Sequence, residues 1–477
     1  MDACWWCALL LVFPLPVFVL LCTRAFLTYR TRRRLRSWSV TSKRPFVVGF
    51  FHPYCNAGGG GERVLWHAVD ALQKRYEFVE VLVYTGDVDA SAEDILRGVE
   101  KRFGIRLVSQ VHFVFLRRRK WVEAHRWPRF TILGQTLGSV WLGLEALFSF
   151  VPHVYIDSMG YAFTLPLFRW LGGSRTASYV HYPTVSMDMV TAVEASLPAL
   201  SSSPGVARSK WLRRAKVLYY KLFAWAYGIA GRRNSVVMVN SSWTYGHVKK
   251  LWRPKALSIV YPPCDTKTFL GLHTTAKGRP NGETRIVSVG QFRPEKRHEM
   301  QLKILELLKH KVLAANWKRL KLVFVGGCRH DDDCIRVQQL RQLAKQLKVA
   351  DRVEFKLNIS FEELKEELAQ ASVGLHTMWN EHFGIAVVEL MAAGAVVVAD
   401  SSGGPQMDIV KEWRGQPVGF LAGTEDEYVE ALLRVMGMKE EERKAMAQAA
   451  KEAVHERFSI ETFESSFLRA TECLLTS

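Results

Sequence analysis

Residues 380–390 read NEHFGIAVVEL and place two carboxylates, Glu381 and Glu389, eight positions apart around the apolar run GIAVV. A carboxylate inside such a run is costly unless it has a partner. If the whole stretch were helical, the two would stand about 12 Å apart. An acid/base or nucleophile pair in a glycosidase sits closer, at roughly 5–9.5 Å. The wider separation suits two ends of one ligand, with one carboxylate accepting hydrogen bonds from the hydroxyls of a hexose and the other from a ribose. A helix N-terminus at Gly384 would then face a diphosphate between them. Taken alone, Glu389 is equally a buried structural carboxylate.

Three other stretches carry chemistry. GGGGER, at 58–63, follows an apolar run and opens a helical one. Its glycines Gly58, Gly59, Gly60 and Gly61 let backbone N–H groups approach an anion or a sugar. Neither a Walker A loop nor a dinucleotide fingerprint is present, because no Lys-Ser/Thr follows Gly61 and the glycines are consecutive. His181, in YVHYPT, ends another apolar run; a lone histidine there is as readily structural. GQFRPEKRH, at 290–298, ends a third run and offers Arg293, Lys296 and Arg297 to a diphosphate, by planar fork and point charge. Asp87-Val-Asp89 and Asp331-Asp332-Asp333 raise a metal-dependent D-x-D reading. Cys328 and Cys334 bracket RHDDD, but no second Cys/His pair stands nearby, so the cysteines read as incidental thiols of a reduced chain and no metal site is assigned.

These residues hang from a repeating pattern. FVVGFF (46–51), VEVLVYT (79–85), VHFVFL (111–116), HVYIDS (153–158), TASYVHY (176–182) and SVVMVNS (235–241) are strand-like runs with longer segments between them. After a polar stretch, 269–284, the pattern restarts with RIVSVG (285–290), KLVFVGG (321–327), RVEF (352–355), SVGLHTM (372–378) and AVVVAD (395–400). Near-continuous apolar runs alternating with helices predict parallel sheets covered on both faces. The fold class is therefore α/β, with two doubly wound, Rossmann-like domains facing each other across a cleft. Their ligands are expected at the carboxyl ends of the strands. The boundaries are 45–268 for the first domain, 269–284 for a linker, 285–458 for the second domain, and 459–477 for a C-terminal helix packing back on the first.

The 477 residues carry a net charge of +19, with 48% hydrophobic and 23% charged residues. That is a globular chain with an anionic partner. Cys4 to Cys22 is free of charge and of a length to span a bilayer core of ~30 Å. Arg24, Arg30, Arg32, Arg33, Arg34 and Arg36 follow it. The positive-inside rule makes 1–23 a transmembrane anchor, 24–44 a basic cytosolic linker, and the rest a cytosolic body. A cleaved signal peptide fits less well, for want of a basic n-region. Phe130 to Val151 reads either as a buried helix or as a membrane-contacting one. Trp211 to Gly231, basic and aromatic, resembles an interfacial amphipathic helix.

With these motifs in order, the chain resembles the retaining glycosyltransferases of the GT-B fold, the group that includes glycogen synthases and phosphatidylinositol mannosyltransferases. PYCNAGGGGERVLW, YVHYPTVSMDM, VGQFRPEK and NEHFGIAVVELMAAG are similar in particular to endoplasmic reticulum α-1,2-mannosyltransferases that extend dolichol-diphosphate-linked oligosaccharide from GDP-mannose. The resemblance covers nearly everything after the anchor. It implies that Gly58 to Gly61 lie near the transferred sugar and phosphates, and that His181 faces the mannose. It implies further that Lys296, assisted by Arg293, neutralises the diphosphate. Glu381 would hold the mannose hydroxyls and Glu389 the ribose, while amides at Phe383, Gly384 and Ile385 meet phosphate. Many relatives have Arg where this chain has Gln291, and Arg293 stands in as the replacement charge. The implied enzyme is metal-independent, with GDP-mannose as donor substrate and no cofactor. Its implied acceptors are Man3GlcNAc2 and Man4GlcNAc2 on dolichol diphosphate, at the cytosolic face of the endoplasmic reticulum membrane. Other mannosyltransferases of the same pathway are candidate partners.

Two other classes remain to be weighed. A membrane-tethered, inactive protein of the same fold would bind nucleotide or anionic lipid. A nucleic-acid binder would also explain the charge, but no basic-aromatic reader module accompanies it, so nucleic acid is not expected as a partner. Topology gives the first test. Asn240-Ser241-Ser242 and Asn358-Ile359-Ser360 match the N-glycosylation acceptor pattern. A cytosolic body leaves both unmodified and is degraded by protease on sealed microsomes without detergent. A protected body, or a mass shift on endoglycosidase treatment, inverts the topology.

Overall fold

The computed structural model of the chain describes residues 14–36, 38, 45–185, 189, 210–272, 283–328 and 331–475. The chain divides into two compact units. The first comprises Met1–Asn240, Thr244–Val260 and Glu464–Ser477; the second comprises Ser241–Trp243 and Tyr261–Phe463.

Among the described residues, the first unit holds a seven-stranded sheet in the order β3-β2-β1-β4-β5-β6-β7. Its strands are β1 (Phe46–Phe51), β2 (Val79–Thr85), β3 (Val111–Phe115), β4 (Val154–Asp157), β5 (Arg175–Val180), β6 (Val236–Val239) and β7 (Leu257–Ile259). The second unit holds a six-stranded sheet in the order β10-β9-β8-β11-β12-β13. Here β8 is Thr284–Val289, β9 Leu320–Gly326, β10 Val353–Leu357, β11 Val373–His376, β12 Val396–Asp400 and β13 Gly419–Ala422. The named pairings are parallel, with Phe46 opposite Val79 and Val48 opposite Val154 in the first sheet, and Thr284 opposite Leu320 in the second.

The apolar runs at the centre of each sheet become strands because they are buried on both faces, whereas the edge strands β3 and β10 are only partly covered. In the second unit, Val287, Val323 and Val397 join one core, whereas their chain neighbours Ile286, Leu322 and Val396 join another. Alternate side chains of a strand point to opposite faces, so two cores sandwich the sheet. In the first unit, Tyr155 and Phe168 stack at 3.7 Å between ring centres. The buried Tyr84 hydroxyl donates to Phe150 O at 2.8 Å, which satisfies a polar tip inside that core.

In each sheet the strand order reverses once, between β1 and β4 and between β8 and β11. A crevice opens at the carboxyl ends there, because successive crossovers leave in opposite directions. The loops after β1 and β4, and those after β8 and β11, therefore converge in pairs.

The segments outside the two sheets take these forms. The residues read as a basic linker, 24–44, are helical through Leu35: one helix runs Pro14–Leu35. Leu27 and Thr31, four apart on one face, are buried, and the Thr31 hydroxyl accepts the Val151 N–H at 3.1 Å. The run Cys4–Cys22 lies largely outside the described residues. Among the described residues no helix is long and apolar enough to cross a membrane. Phe130–Val151 forms the helix Thr131–Ser149, which buries Gly134, Gly138, Leu142 and Ala146 at four-residue spacing while Leu137 and Trp141 face outward. Its one charge, Glu145, accepts the Arg117 and Arg118 N–H groups. The helix Lys210–Arg232 exposes Trp211, Leu218, Leu222 and Trp225. Cys328 and Cys334, read as incidental thiols, lie side by side with Cα atoms 5.7 Å apart. The helix Ile460–Leu475 ends the described chain, and from Glu464 on it belongs to the first unit.

Candidate active site

The second unit gathers charge at its switch point. Glu381 lies in the loop between β11 and the helix Ile385–Ala392. Its carboxylate accepts from the Lys296 ammonium, carried by the loop after β8, and meets His376 Nε2 at 3.3 Å, at the end of β11. Burial by itself would raise this carboxyl. The hydrogen bond from His376 and the adjacent Lys296 charge overcome it and hold Glu381 well below the usual carboxylate range. Glu381 is thus an anion fixed between two donors, with oxygen lone pairs left to orient hydroxyls.

The surrounding shell is ordered by short contacts. The Thr377 hydroxyl donates to Lys296 O at 2.9 Å and accepts from Gln301 Nε2 at 2.8 Å, which locks the Lys296 loop to the end of β11. Arg297, with a left-handed φ of 52°, turns back towards the buried Asp400 at 3.6 Å. Gly384 takes φ +106° to begin the helix, a conformation that a side chain would strain. Because the helix starts only at Ile385, the all-helical separation of Glu381 and Glu389 does not apply. Glu389 is buried within that helix. The Phe383 ring packs between Tyr261 and Phe458, so only its backbone is available to a phosphate. Arg293 is exposed and stands outside the Lys296–Glu381–His376 cluster.

The first unit brings Gly58 to Gly61 and His181 together. A Cβ placed on Gly61 would stand 3.7 Å from His181 Nε2. That nitrogen is buried and, among the described residues, has no hydrogen-bond partner. Burial, with His52 close by, pushes the His181 imidazole down to about 4, so the ring is neutral at pH 7. Gly58 needs its glycine for φ +78°. Gly60 has no such need: among the described residues, nothing stands within 4 Å of where its Cβ would be. A steric reason for that glycine has to come from something that approaches the loop.

Asp87 is occupied locally by Arg119, Thr85 and the Asn56 N–H. Asp331 to Asp333 form the first turn of the helix Asp331–Gln346. Neither carboxylate group belongs to the clusters above. Sequence reasoning missed His52, Glu62, His376 and Asp400. The available signal was positional, since His52, His376 and Asp400 each close an apolar strand, as His181 does.

Two parallel sheets of this order, each carrying polar clusters at its switch point, define a GT-B-like glycosyltransferase. Residues 45–252 match the ALG11 mannosyltransferase N-terminus model and residues 273–453 the glycosyl transferases group 1 model. Among solved structures, sucrose-phosphate synthase from Thermosynechococcus elongatus shares the fold with a TM-score of 0.64 at 16% identity, over 90% of this chain and 99% of that one. Anabaena HepE, in complex with UDP and glucose, gives 0.61 at 15%, over 90% and 100%. A mouse protein named GDP-Man:Man(3)GlcNAc(2)-PP-Dol alpha-1,2-mannosyltransferase is 51% identical over 93% of this chain and 90% of its own. Its human counterpart is 50% identical over 94% and 91%, and that of Dictyostelium discoideum 45% over 90% and 85%. The chain belongs to this family of α-1,2-mannosyltransferases.

A pH test follows from a neighbour of the cluster. The His298 ring lies against Phe292 and Phe324. Burial, with Lys296, Arg336 and His376 nearby, pushes it down to about 4. The unfolded value is about 6.5, so unfolding takes up a proton between the two. Stability from this ring is fully present above about pH 6.5 and is lost as pH falls towards 4. Replacing it with phenylalanine (His298→Phe) should flatten the pH dependence of unfolding free energy in that window by about 1.4 kcal/mol per pH unit. Urea unfolding of both proteins at stepped pH reads this, and parallel curves would count against it.

Proposed function

We propose that the chain transfers mannose from GDP-mannose, in α-1,2 linkage, to dolichol-diphosphate-linked Man3GlcNAc2 and then Man4GlcNAc2 at the cytosolic face of the endoplasmic reticulum. The observation that carries this reading is identity at about half of all positions, over more than nine-tenths of the chain, to relatives named for that donor, acceptor and linkage. The Lys296–Glu381–His376 cluster supplies the chemistry. Lys296 faces the diphosphate and Glu381 the mannose hydroxyls, with His376 holding Glu381 ionised.

The donor linkage and the product linkage are both α, so configuration is retained. The acceptor hydroxyl attacks C1 of the mannose on the face from which the diphosphate departs. The bond from C1 to the phosphate oxygen breaks, the acceptor C1–O bond forms, and the hydroxyl proton passes to the departing phosphate oxygen, releasing GDP. Catalysis is then leaving-group charge stabilisation and positioning, with Lys296 in the place a divalent cation takes elsewhere. His181 contributes a neutral ring beside the sugar, and the amides of Gly60 and Gly61 a polar floor. Glu389 receives the ribose, and the backbone at Phe383 to Ile385 the phosphates. Arg293 adds charge from the rim.

A lipid-linked acceptor requires a membrane face. Trp211, Leu218, Leu222 and Trp225 are exposed on one helix and Leu137 and Trp141 on another. The two helices meet where the Leu133 N–H donates to the Tyr219 hydroxyl. With the arginines after Cys22, these rings suit an interfacial contact beside an N-terminal anchor.

The test is transfer from radiolabelled GDP-mannose to a synthetic lipid-diphosphate trimannosyl chitobiose, with UDP-glucose as competing donor. The wild type should use GDP-mannose and retain its rate in EDTA. Lys296→Ala should fall about a hundredfold, as expected for loss of ~3 kcal/mol of transition-state stabilisation. Near-normal transfer by that variant sinks the phosphate role of Lys296, and loss in EDTA restored by manganese sinks metal independence. Gly60→Ala separates ligand approach from folding: its thermal midpoint should match wild type or exceed it, while GDP-mannose affinity drops at least about tenfold by a buried steric clash. Unchanged affinity would remove the glycine loop from the donor site.

A further inference from the structure

The glycine loop is held by a chain of side chains that the reaction itself does not use. We infer that Glu62, His52 and Ser158 form a clasp that fixes the amides of Gly59 to Gly61 in place, and that all three are positioning residues. The inference rests on the reading that this loop meets the donor.

Each link is visible. Glu62, in the first turn of the helix Gly60–Arg75, turns one carboxylate oxygen back to accept the Gly59 N–H. Its other oxygen, Oε1, lies 3.2 Å from His52 Nε2. A carboxylate only accepts, so the hydrogen of that contact sits on His52 Nε2. His52 Nδ1 in turn lies 2.9 Å from the Ser158 hydroxyl. Ser158 Oγ also stands 3.3 Å from Phe51 O, within the β1–β4 edge. His52 follows β1 and Ser158 follows β4, the two strands that flank the switch point. The clasp therefore spans the crevice and moors the loop to both of its walls.

Burial argues that the arrangement has a purpose. His52, Glu62 and Ser158 are 0%, 6% and 2% exposed. A hydrogen-bonded polar chain shut away from water is fixed in geometry, because breaking any link strands a buried group. The opposite end of the loop is tied separately: Arg102 donates to Asn56 O and Asn56 Oδ1, each at 2.6 Å, and the Asn56 N–H donates to Asp87 at 2.9 Å. With both ends tied, Gly60 alone faces open space. A glycine run is otherwise the most mobile backbone in a chain, and a donor bound to mobile amides gains little in the transition state. His52 also lies beside the same Gly61 position that faces His181, with its Cε1 3.8 Å from the ideal Cβ. The clasp thus sets the distance between loop and sugar-facing ring as well.

Two readouts test it together on the full-length protein: hydrogen–deuterium exchange of the peptide covering Gly58 to Gly61, and steady-state mannose transfer. In Glu62→Ala, exchange of that peptide should quicken at least about tenfold with other peptides unchanged. The value of kcat should fall about a hundredfold, the effect of an ångström-scale misplacement, while KM for GDP-mannose moves less than about threefold. Glu62→Gln keeps one amide oxygen to accept the Gly59 N–H and turns its NH2 to His52 Nε2, with the ring taking the other tautomer and donating from Nδ1 to Ser158, and should recover most of both. Ser158→Ala, which removes only the far end, should quicken loop exchange by a smaller factor and guards against an unfolded alanine variant. Wild-type exchange at the loop in Glu62→Ala and Ser158→Ala, or a glutamine variant no better than alanine, overturns the clasp. The exchange arm does not depend on turnover. If wild type transfers no mannose while the loop still loosens in Glu62→Ala, the functional reading fails and the clasp stands.

Discussion

Glu381 is the constraint around which the second unit is arranged. A carboxylate that is largely removed from water and yet ionised must be met by donors, and the donors must come from somewhere rigid. His376 ends β11 and Lys296 follows β8. Those strands are neighbours only because the sheet order reverses between them. A sheet that continued in one direction would send the two loops to opposite sides. The ion pair therefore depends on topology before it depends on any local choice of residue, and Thr377 and Gln301 finish the work by fastening the Lys296 loop.

The first unit solves a related problem with less charge. At its switch point, the loop after β1 and the loop after β4 are joined through His52 and Ser158, and Glu62 is held below its ordinary range. Burial opposes that shift, while the hydrogen bond and charge of His52 and the Gly59 N–H carry it. His181, beside them, is driven the other way, towards neutrality. One crevice thus presents a cation beside an anion, and the other presents backbone amides and a neutral ring.

Much of this was legible in the chain. Runs such as FVVGFF and AVVVAD read as buried parallel strands because β-branched and aromatic residues were continuous rather than alternating. β7 and β13 were not read, because Leu-Ser-Ile and Gly-Phe-Leu-Ala are short edge segments whose pairing is set by the neighbouring strand rather than by their own composition. The helix through Arg24 to Leu35 was hidden by its arginines: charge suggested a solvated linker, whereas Leu27 and Thr31 form a buried stripe within it. Glu381, Lys296, Gly58 to Gly61 and His181 were singled out because unusual residues followed strands. His376 and His52 followed strands too, but each reads as an ordinary core histidine until its partner, Glu381 or Glu62, is seen to lie next to it. Such contacts depend on which strands are adjacent, and strand order is not written locally in any run.

The glycine loop shows how far composition can mislead about rigidity. Four consecutive glycines suggest a flexible hinge, yet the requirement differs at each position. Gly58 has a positive φ, Gly59 gives its N–H to Glu62, and Gly61 faces two histidine rings. Only Gly60 lacks a demand from within the unit. The residue that turns this run from a hinge into a platform is therefore not a glycine at all. Glu62 stands three positions after Gly59, at the spacing by which a side chain reaches back to cap its own helix. Its second oxygen, already in contact with His52, carries that local cap into the sheet. A motif usually read through its glycines is in this chain held in shape by the acid that follows them.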